Sequence, residues 1–351
     1  MAMVMALTLF STGVSAATRT MSSMTTDGGK TFTAAKSRDV ITISTPEEMS
    51  LFAAYASAGN RTDRVTFQLL NDIDLSSVCH GETTAGAGDA VNWTPIATDP
   101  EKPFWGTFDG QGFTISGLYI NDSTATEQGL FAYIRGAHMK NLVISGASAT
   151  VANNSGIFFA KDISYTEFIN VTITNSVLNG KNCGGFGYNA DNAGNITNCR
   201  FEGTISGGSN GGFFQNCQGV TMKNCTFDGS MQGSGNGGFV YLLKNKGSFE
   251  NCTTTENAQI GDASKGYSGG VIAKFEVSSY VDMYGADNLV VKDCVNNAKI
   301  MGKTYSGGII GRAQTTSDIS CTMTLSNCTN NGLIDGAGNS GILGYTTIPT
   351  T

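Results

Sequence analysis

This chain has little histidine, proline or charge, and each shortage excludes something. Only two histidines occur in 351 residues, His80 and His138, and neither lies at a spacing that marks a zinc site or a Ser-His-Asp triad. Nine cysteines are present, but no Cys-x-x-Cys pair, so the spacing of a structural zinc site is missing. Five prolines are too few for a proline-rich disordered chain. Charged residues make up 14%, well under the usual ~25%, and the net charge is −7. No basic stripe runs along the sequence, so nucleic acid is not an expected partner. Apart from the N-terminus, no apolar run approaches the ~18 residues that a membrane span needs.

Glycine is what the chain has in excess, at 46 residues, about twice the ordinary share of ~7%. Much of it recurs in order. A glycine followed by a large apolar residue appears as Gly129-Leu130, Gly156-Ile157, Gly185-Phe186, Gly212-Phe213, Gly238-Phe239, Gly270-Val271, Gly308-Ile309 and Gly341-Ile342, at steps of 27, 29, 27, 26, 32, 38 and 33 residues. A period in this range means a solenoid, a propeller or an array.

Two further motifs lie between these glycines. The first is apolar–any–Asn–(Cys or aliphatic), running from Met139-Lys140-Asn141-Leu142 and Phe168-Ile169-Asn170-Val171 to Leu325-Ser326-Asn327-Cys328. The second is an aliphatic residue shortly before glycine, at Leu178, Ile205, Met231, Ile260, Ile300 and Ile334. Three short strands per repeat describe one coil of a parallel β-helix. The fold expected is therefore all-β: a right-handed parallel β-helix of 26–38 residues per coil with an N-terminal capping helix.

The Asn motif also predicts where the coil bends. The apolar residues flanking Asn are three apart, and strand side chains share a face only at even separation. Both can point inward only if the chain turns at Asn, which tolerates the left-handed region. Stacked coils then place Asn198, Asn224, Asn251 and Asn327 in a ladder, with Asp293 as the odd rung. Cys199, Cys225, Cys252, Cys294 and Cys328 fall in the next column, where Leu142 and Val171 stand in earlier coils. That column reads as an apolar core position filled by free thiols. Adjacent-rung disulfides stay open as an alternative.

Along the chain, residues 1–16 read as a secretory signal peptide that lacks the usual basic n-region, and 17–39 as a flexible leader. Residues 40–63 hold the N-terminal cap, where Thr45 is the predicted N-cap, Pro46 the first helical residue and Glu48 the partner in a capping box. The β-helix is expected over 64–346, followed by a tail at 347–351 with no capping helix, which leaves a fragment or end-to-end pairing open. The longest intervals place insertions near Lys274–Asn288 and Ala313–Thr322, so Tyr280, Met283 and Tyr284 are the candidate binding loop. Tyr188, Tyr241, Tyr267 and Tyr305 are further aromatics available for stacking on sugars.

The segments Asn92-Trp93-Thr94-Pro95-Ile96, Gly106-Thr107-Phe108-Asp109-Gly110 and Gly129-Leu130-Phe131, with the Thr45-Pro46-Glu47-Glu48 helix start and the Asn71-Asp72-Ile73-Asp74-Leu75 strand, resemble bacterial surface proteins carrying the GLUG motif. The resemblance covers roughly residues 40 to 346. It implies a right-handed β-helix on exported, often adhesin-like proteins, and it brings no catalytic residues. Some members flank a metallopeptidase domain, but no His-Glu-x-x-His occurs here. The function expected is an exported, non-enzymatic surface module or spacer that binds host protein or glycan. It is expected to be secreted or on the bacterial cell surface, with no cofactor. The alternative is a carbohydrate-active enzyme, a polysaccharide lyase or glycosidase, which would need paired carboxylates such as Asp72, Asp74 or Asp109.

Overall fold

The computed structural model describes residues 16–82, 90–162, 164–191, 194–277, 288–315, 321–336 and 340–348. They form a parallel β-solenoid of about ten turns with a single α-helix near the N-terminus. One file of side chains shows the stacking from end to end. Ile41, Phe67, Phe108, Met139, Phe168, Ile196, Met222, Phe249, Val291 and Leu325 pair rung to rung in parallel register. Its members from Met139 onward are the apolar residues that precede each Asn in the motif. All but Leu325 are almost fully buried.

The corner residues behave as the period-two argument requires. Asn141, Asn170, Asn198, Asn224, Asn251, Asp293 and Asn327 all have φ between +52° and +55°. Their amides form the ladder in one direction, each donating to the rung below: Asn170 to Asn141 at 3.0 Å, Asn198 to Asn170 and Asn224 to Asn198 at 3.2 Å, and Asn251 to Asn224 at 2.8 Å. Asp109 closes the bottom by accepting from Asn141 at 3.2 Å. Asp293 accepts from Asn327 at 3.0 Å. A carboxylate accepts but cannot donate, so an Asp in this file starts a run and cannot continue one.

The ladder makes a stability prediction. Asn224→Ala is expected to cost about 3 kcal/mol, from left-handed strain plus two lost amide hydrogen bonds. Asn224→Gly should cost about 1 kcal/mol less, because glycine enters that region without strain. Denaturant unfolding of both variants checks this, and equal costs would assign the whole effect to the amides.

The cysteine column also forms as expected. Cys199, Cys225, Cys252, Cys294 and Cys328 each donate Sγ–H to the carbonyl of the motif apolar residue one rung below, at 3.4–3.6 Å. All nine cysteines are free thiols. Burial, reinforced by the neighbouring thiol, pushes the Cys199 and Cys252 thiols well up; burial would also raise Cys225, but hydrogen bonds from Cys199 and Cys252 outweigh it, and a hydrogen bond from Cys252 lowers Cys294. All four are walled off from solvent. The aliphatic column Leu178, Ile205, Met231, Ile260, Ile300 and Ile334 is in register throughout.

Two N-terminal expectations change. The segment read as a flexible leader is part of the solenoid: Thr18–Thr20 pairs in parallel with Val40–Ile43, and Met21 and Met24 are fully buried. Coil pairing therefore starts well before residue 64, because two buried methionines anchor what composition alone makes look unstructured. The helix spans Pro46–Ser57, with Thr45 Oγ1 accepting from Glu48 N at 3.2 Å. Glu48, however, does not complete the box on Thr45. Its carboxylate takes Ser44 N at 2.7 Å and Ser22 N at 3.0 Å, tying the helix to that first strand region. Phe52 packs on Phe67 at 4.3 Å and contacts Phe104, Phe108 and Phe131, so the helix covers the aromatic core at this end.

Candidate ligand-binding site

The carboxylates weighed for glycosidic chemistry all serve the backbone. Asp72 Oδ1 accepts from Thr114 N at 2.8 Å and Asp74 Oδ1 from Ser76 N at 3.0 Å. Asp109 is 5% exposed and accepts from Gln111 N at 3.0 Å, Asn141 Nδ2 and Lys140 Nζ. Its burial, which alone would raise the carboxyl, is outweighed by these bonds, and its pKa lies below the ordinary value. A carboxyl so held is a poor general acid. His138 Nδ1 faces Glu167 Oε2 at 2.9 Å on the surface, and His80 Nδ1 lies 2.9 Å from Gly81 O.

The proposed loop Tyr280, Met283 and Tyr284 lies outside the described residues. Of the Lys274–Asn288 insertion, 274–277 belong to the strand Ile272–Val277 and are not a loop. Tyr241 and Tyr267 stack on each other with hydroxyls 3.1 Å apart. Tyr305 packs against Tyr345, and the Arg312 guanidinium lies 5.8 Å from both rings. These tyrosines are largely occupied with one another.

A different aromatic is presented to solvent. The two tryptophans divide sharply: Trp93 is 4% exposed and donates Nε1–H to Leu130 O at 3.1 Å, whereas Trp105 is 50% exposed. Strand alternation explains the second case. Phe104 points into the core, fully buried, so Trp105 must point out. Its backbone is fixed on both sides. Trp105 N donates to Thr62 Oγ1 at 3.0 Å, and the Phe104 and Gly106 carbonyls accept from Arg135 N and His138 N.

The rung above carries one extra residue here. Phe104 pairs with Ile134, yet Thr107 pairs with His138. Arg135 and Gly136 together therefore face Trp105, and Gly136 takes a left-handed φ of 52°. A Cβ on Gly136 would come within 2.8 Å of the indole Nε1, so only glycine lets the ring lie there. The bulge aims Arg135 at the indole, with its guanidinium carbon 5.8 Å from the ring centroid.

Counting back from the pair Thr66–Thr107 puts Arg64 at the level of Trp105 in the rung below. Counting back from Val40–Thr66 puts Arg38 below Arg64, and Arg38 N donates to Arg64 O. The outward file is thus Arg38, Arg64, Trp105, Arg135. None of these arginines has an ion-pair partner among the described residues, whereas Arg61 is neutralised by Asp63 at 2.9 Å. Trp105 and Asp63 line two adjoining clefts. One, of about 500 Å³, is walled by Arg64, Thr107, Gly136 and His138. The other, of about 240 Å³, is walled by Arg61, Lys102 and Arg135. The larger falls in the size range of small-ligand sites.

Composition showed no basic stripe, and the fold assembles a local one. No repeat or motif in the sequence marks Trp105. The available signal was the Phe104-Trp105 alternation, which forces one of two large aromatics outward.

No family model matches this chain. It is 34% identical over 123 residues to halomucin of Haloquadratum walsbyi, a match covering 34% of this chain and 1% of halomucin's length. A crystal structure of a candidate immunoglobulin A1 protease from Bacteroides ovatus aligns with a TM-score of 0.49 at 19% identity, covering 88% of this chain and 83% of that one. Among the described residues, no helix is long and apolar enough to cross a membrane.

Proposed function

We propose that this protein is an exported surface module that binds glycan or host protein and does not convert it. The observation that carries the reading is Trp105: a half-exposed indole on a hydrogen-bonded rung, held by Gly136, with clefts beside it. An aromatic fixed in advance loses little conformational entropy on binding and offers a flat apolar face with a polar edge. Such a face suits the C–H surface of a pyranose. The capping duties of Asp72, Asp74 and Asp109 favour binding over hydrolysis or elimination. The GLUG-like segments and the apolar stretch at 1–16 support surface display, and the halomucin match agrees with it.

The test is a screen of the whole chain at micromolar concentration against a glycan array and host-matrix proteins, beside Trp105→Ala. Binding by the native chain that Trp105→Ala weakens about tenfold or more, without new reducing ends or unsaturated products, is the expected result. Silence across both panels, or binding unchanged by the substitution, would remove the assignment.

A further inference from the structure

Resting on that reading, we infer that the ligand of the Trp105 clefts is an acidic polysaccharide, bound along the solenoid axis by the file Arg38, Arg64, Trp105 and Arg135. Strand stacking sets the repeat of this file at ~4.8 Å per rung, so three guanidinium groups extend over about 14 Å with the indole between two of them. The chain as a whole carries −7, yet in the two clefts Arg61 is paired with Asp63 and Lys102 with Asp99, which leaves Arg64 and Arg135 against the single carboxylate Glu101. Unpaired arginine on an acidic protein is electrostatically favourable to leave in place and is available to an incoming anion. Its planar fork matches carboxylate or sulfate oxygens two at a time.

The arrangement distinguishes among polyanions. A sugar chain with one acid group on each ring or on alternate rings offers an apolar ring face to Trp105 while its charges meet Arg64 and Arg135 on either side. An acidic peptide would add as a strand only at a free edge, and at these rungs the edges are hydrogen-bonded above and below. Single-stranded nucleic acid calls for successive stacking platforms and a basic groove, and this file holds one indole within a net-acidic molecule.

Calorimetric titration of the full chain tests the inference with five probes: oligogalacturonate, its methyl ester, a heparin oligosaccharide, neutral dextran and a single-stranded oligonucleotide. Binding of oligogalacturonate, heparin or both is expected, weakened by salt, with neither the ester nor dextran bound. The carboxylate and sulfate arms identify which anion is read. Arg64→Ala and Arg135→Ala should each weaken binding about tenfold, and Trp105→Ala at least as much, while Lys223→Ala on a distant rung should not. Unchanged thermal unfolding of these surface variants shows that folding is intact. If ester and dextran bind as well as the acid and Trp105→Ala abolishes both, the glycan-binding function stands and the charge reading falls. If no oligosaccharide binds, the acidic-polysaccharide inference falls, and the glycan-array and host-matrix screen decides the binding function separately. Oligonucleotide binding as tight as that of the acidic sugar overturns the inference.

Discussion

Gly212→Ala is expected to abolish the cooperative fold, whereas Gly341→Ala, in the same column of the repeat, should be almost silent. At Gly212 an added Cβ would stand 2.0 Å from the Gly238 carbonyl oxygen of the next rung and 2.3 Å from the Phe227 ring. The neighbour is backbone within a stacked ladder, so relief requires separating two rungs rather than turning a side chain. Gly238 and Gly270 meet the carbonyl of their next rung at the same 2.0 Å, so the column is tight throughout the middle of the solenoid. Among the described residues, nothing lies within 4 Å of an atom added at Gly341. A destabilisation of more than about 4 kcal/mol is expected at Gly212 against less than about 0.5 kcal/mol at Gly341. Circular dichroism and denaturant unfolding report the difference. A folded Gly212→Ala with near-native stability would show that the glycine repeat is not a contact between rungs. The repeated glycine before each large apolar residue thus has a steric cause: its α-carbon is where one coil rests on the next.

The second large effect concerns pH. Asp162 occupies an inward file between Ile134 and Ala190, followed by Cys217, Leu243 and Phe275. It is fully buried, accepts from Thr166 Oγ1 at 2.8 Å and Ser164 N at 3.0 Å, and its Oδ2 has no partner among the described residues. Burial, with a smaller contribution from the charge of Asp191, pushes its pKa up to about 7 from 3.8. Because the folded value is the higher one, the native state holds the proton more tightly than the unfolded chain. That contribution to stability is fully present below about pH 4 and is lost as pH rises through 7. At up to about 1.4 kcal/mol per pH unit, the loss across this window is on the order of 4 kcal/mol.

Unfolding free energy should therefore fall from pH 5 to pH 8, and Asp162→Asn should flatten that fall, since an amide does not titrate. The carboxyls of Asp39, Asp109 and Glu127 do not confuse the measurement. Burial would raise them, but hydrogen bonds outweigh it and hold them below their ordinary values, so their contributions vanish only in stronger acid. The same slope in Asp162→Asn as in the native chain would show that the carboxyl is not the source.

Much of this molecule could be read from its order of residues, and the reason is geometric. In a solenoid a fixed spacing in sequence becomes a fixed position on the wall, so like residues land on like. The apolar–any–Asn–Cys motif specified an inward residue, a left-handed corner and a second inward residue, and each is found there. The thiols could be taken as core because leucine and valine share their column. What periodicity could not supply was the start of the stack, because Thr18–Thr20 and the buried Met21 and Met24 belong to no repeat. It also could not supply the role of Glu48, whose second partner, Ser22, lies 26 residues away.

The sequence by itself determined the coil, its corners and its buried files, because those depend only on period and on which side chains tolerate burial or positive φ. The tertiary structure alone decided the surface proposed to meet a ligand. Arg38, Arg64, Trp105 and Arg135 are spaced 26, 41 and 30 residues apart, and no repeat links them. They share one file because the helix Pro46–Ser57 and the segment between Leu75 and Phe104 take up unequal lengths of chain between successive rungs, and the pair Phe104–Ile134 sets Arg135 level with Trp105 before the extra residue at Gly136. Those are properties of how the coils close on one another, and they exist only once the stack has formed.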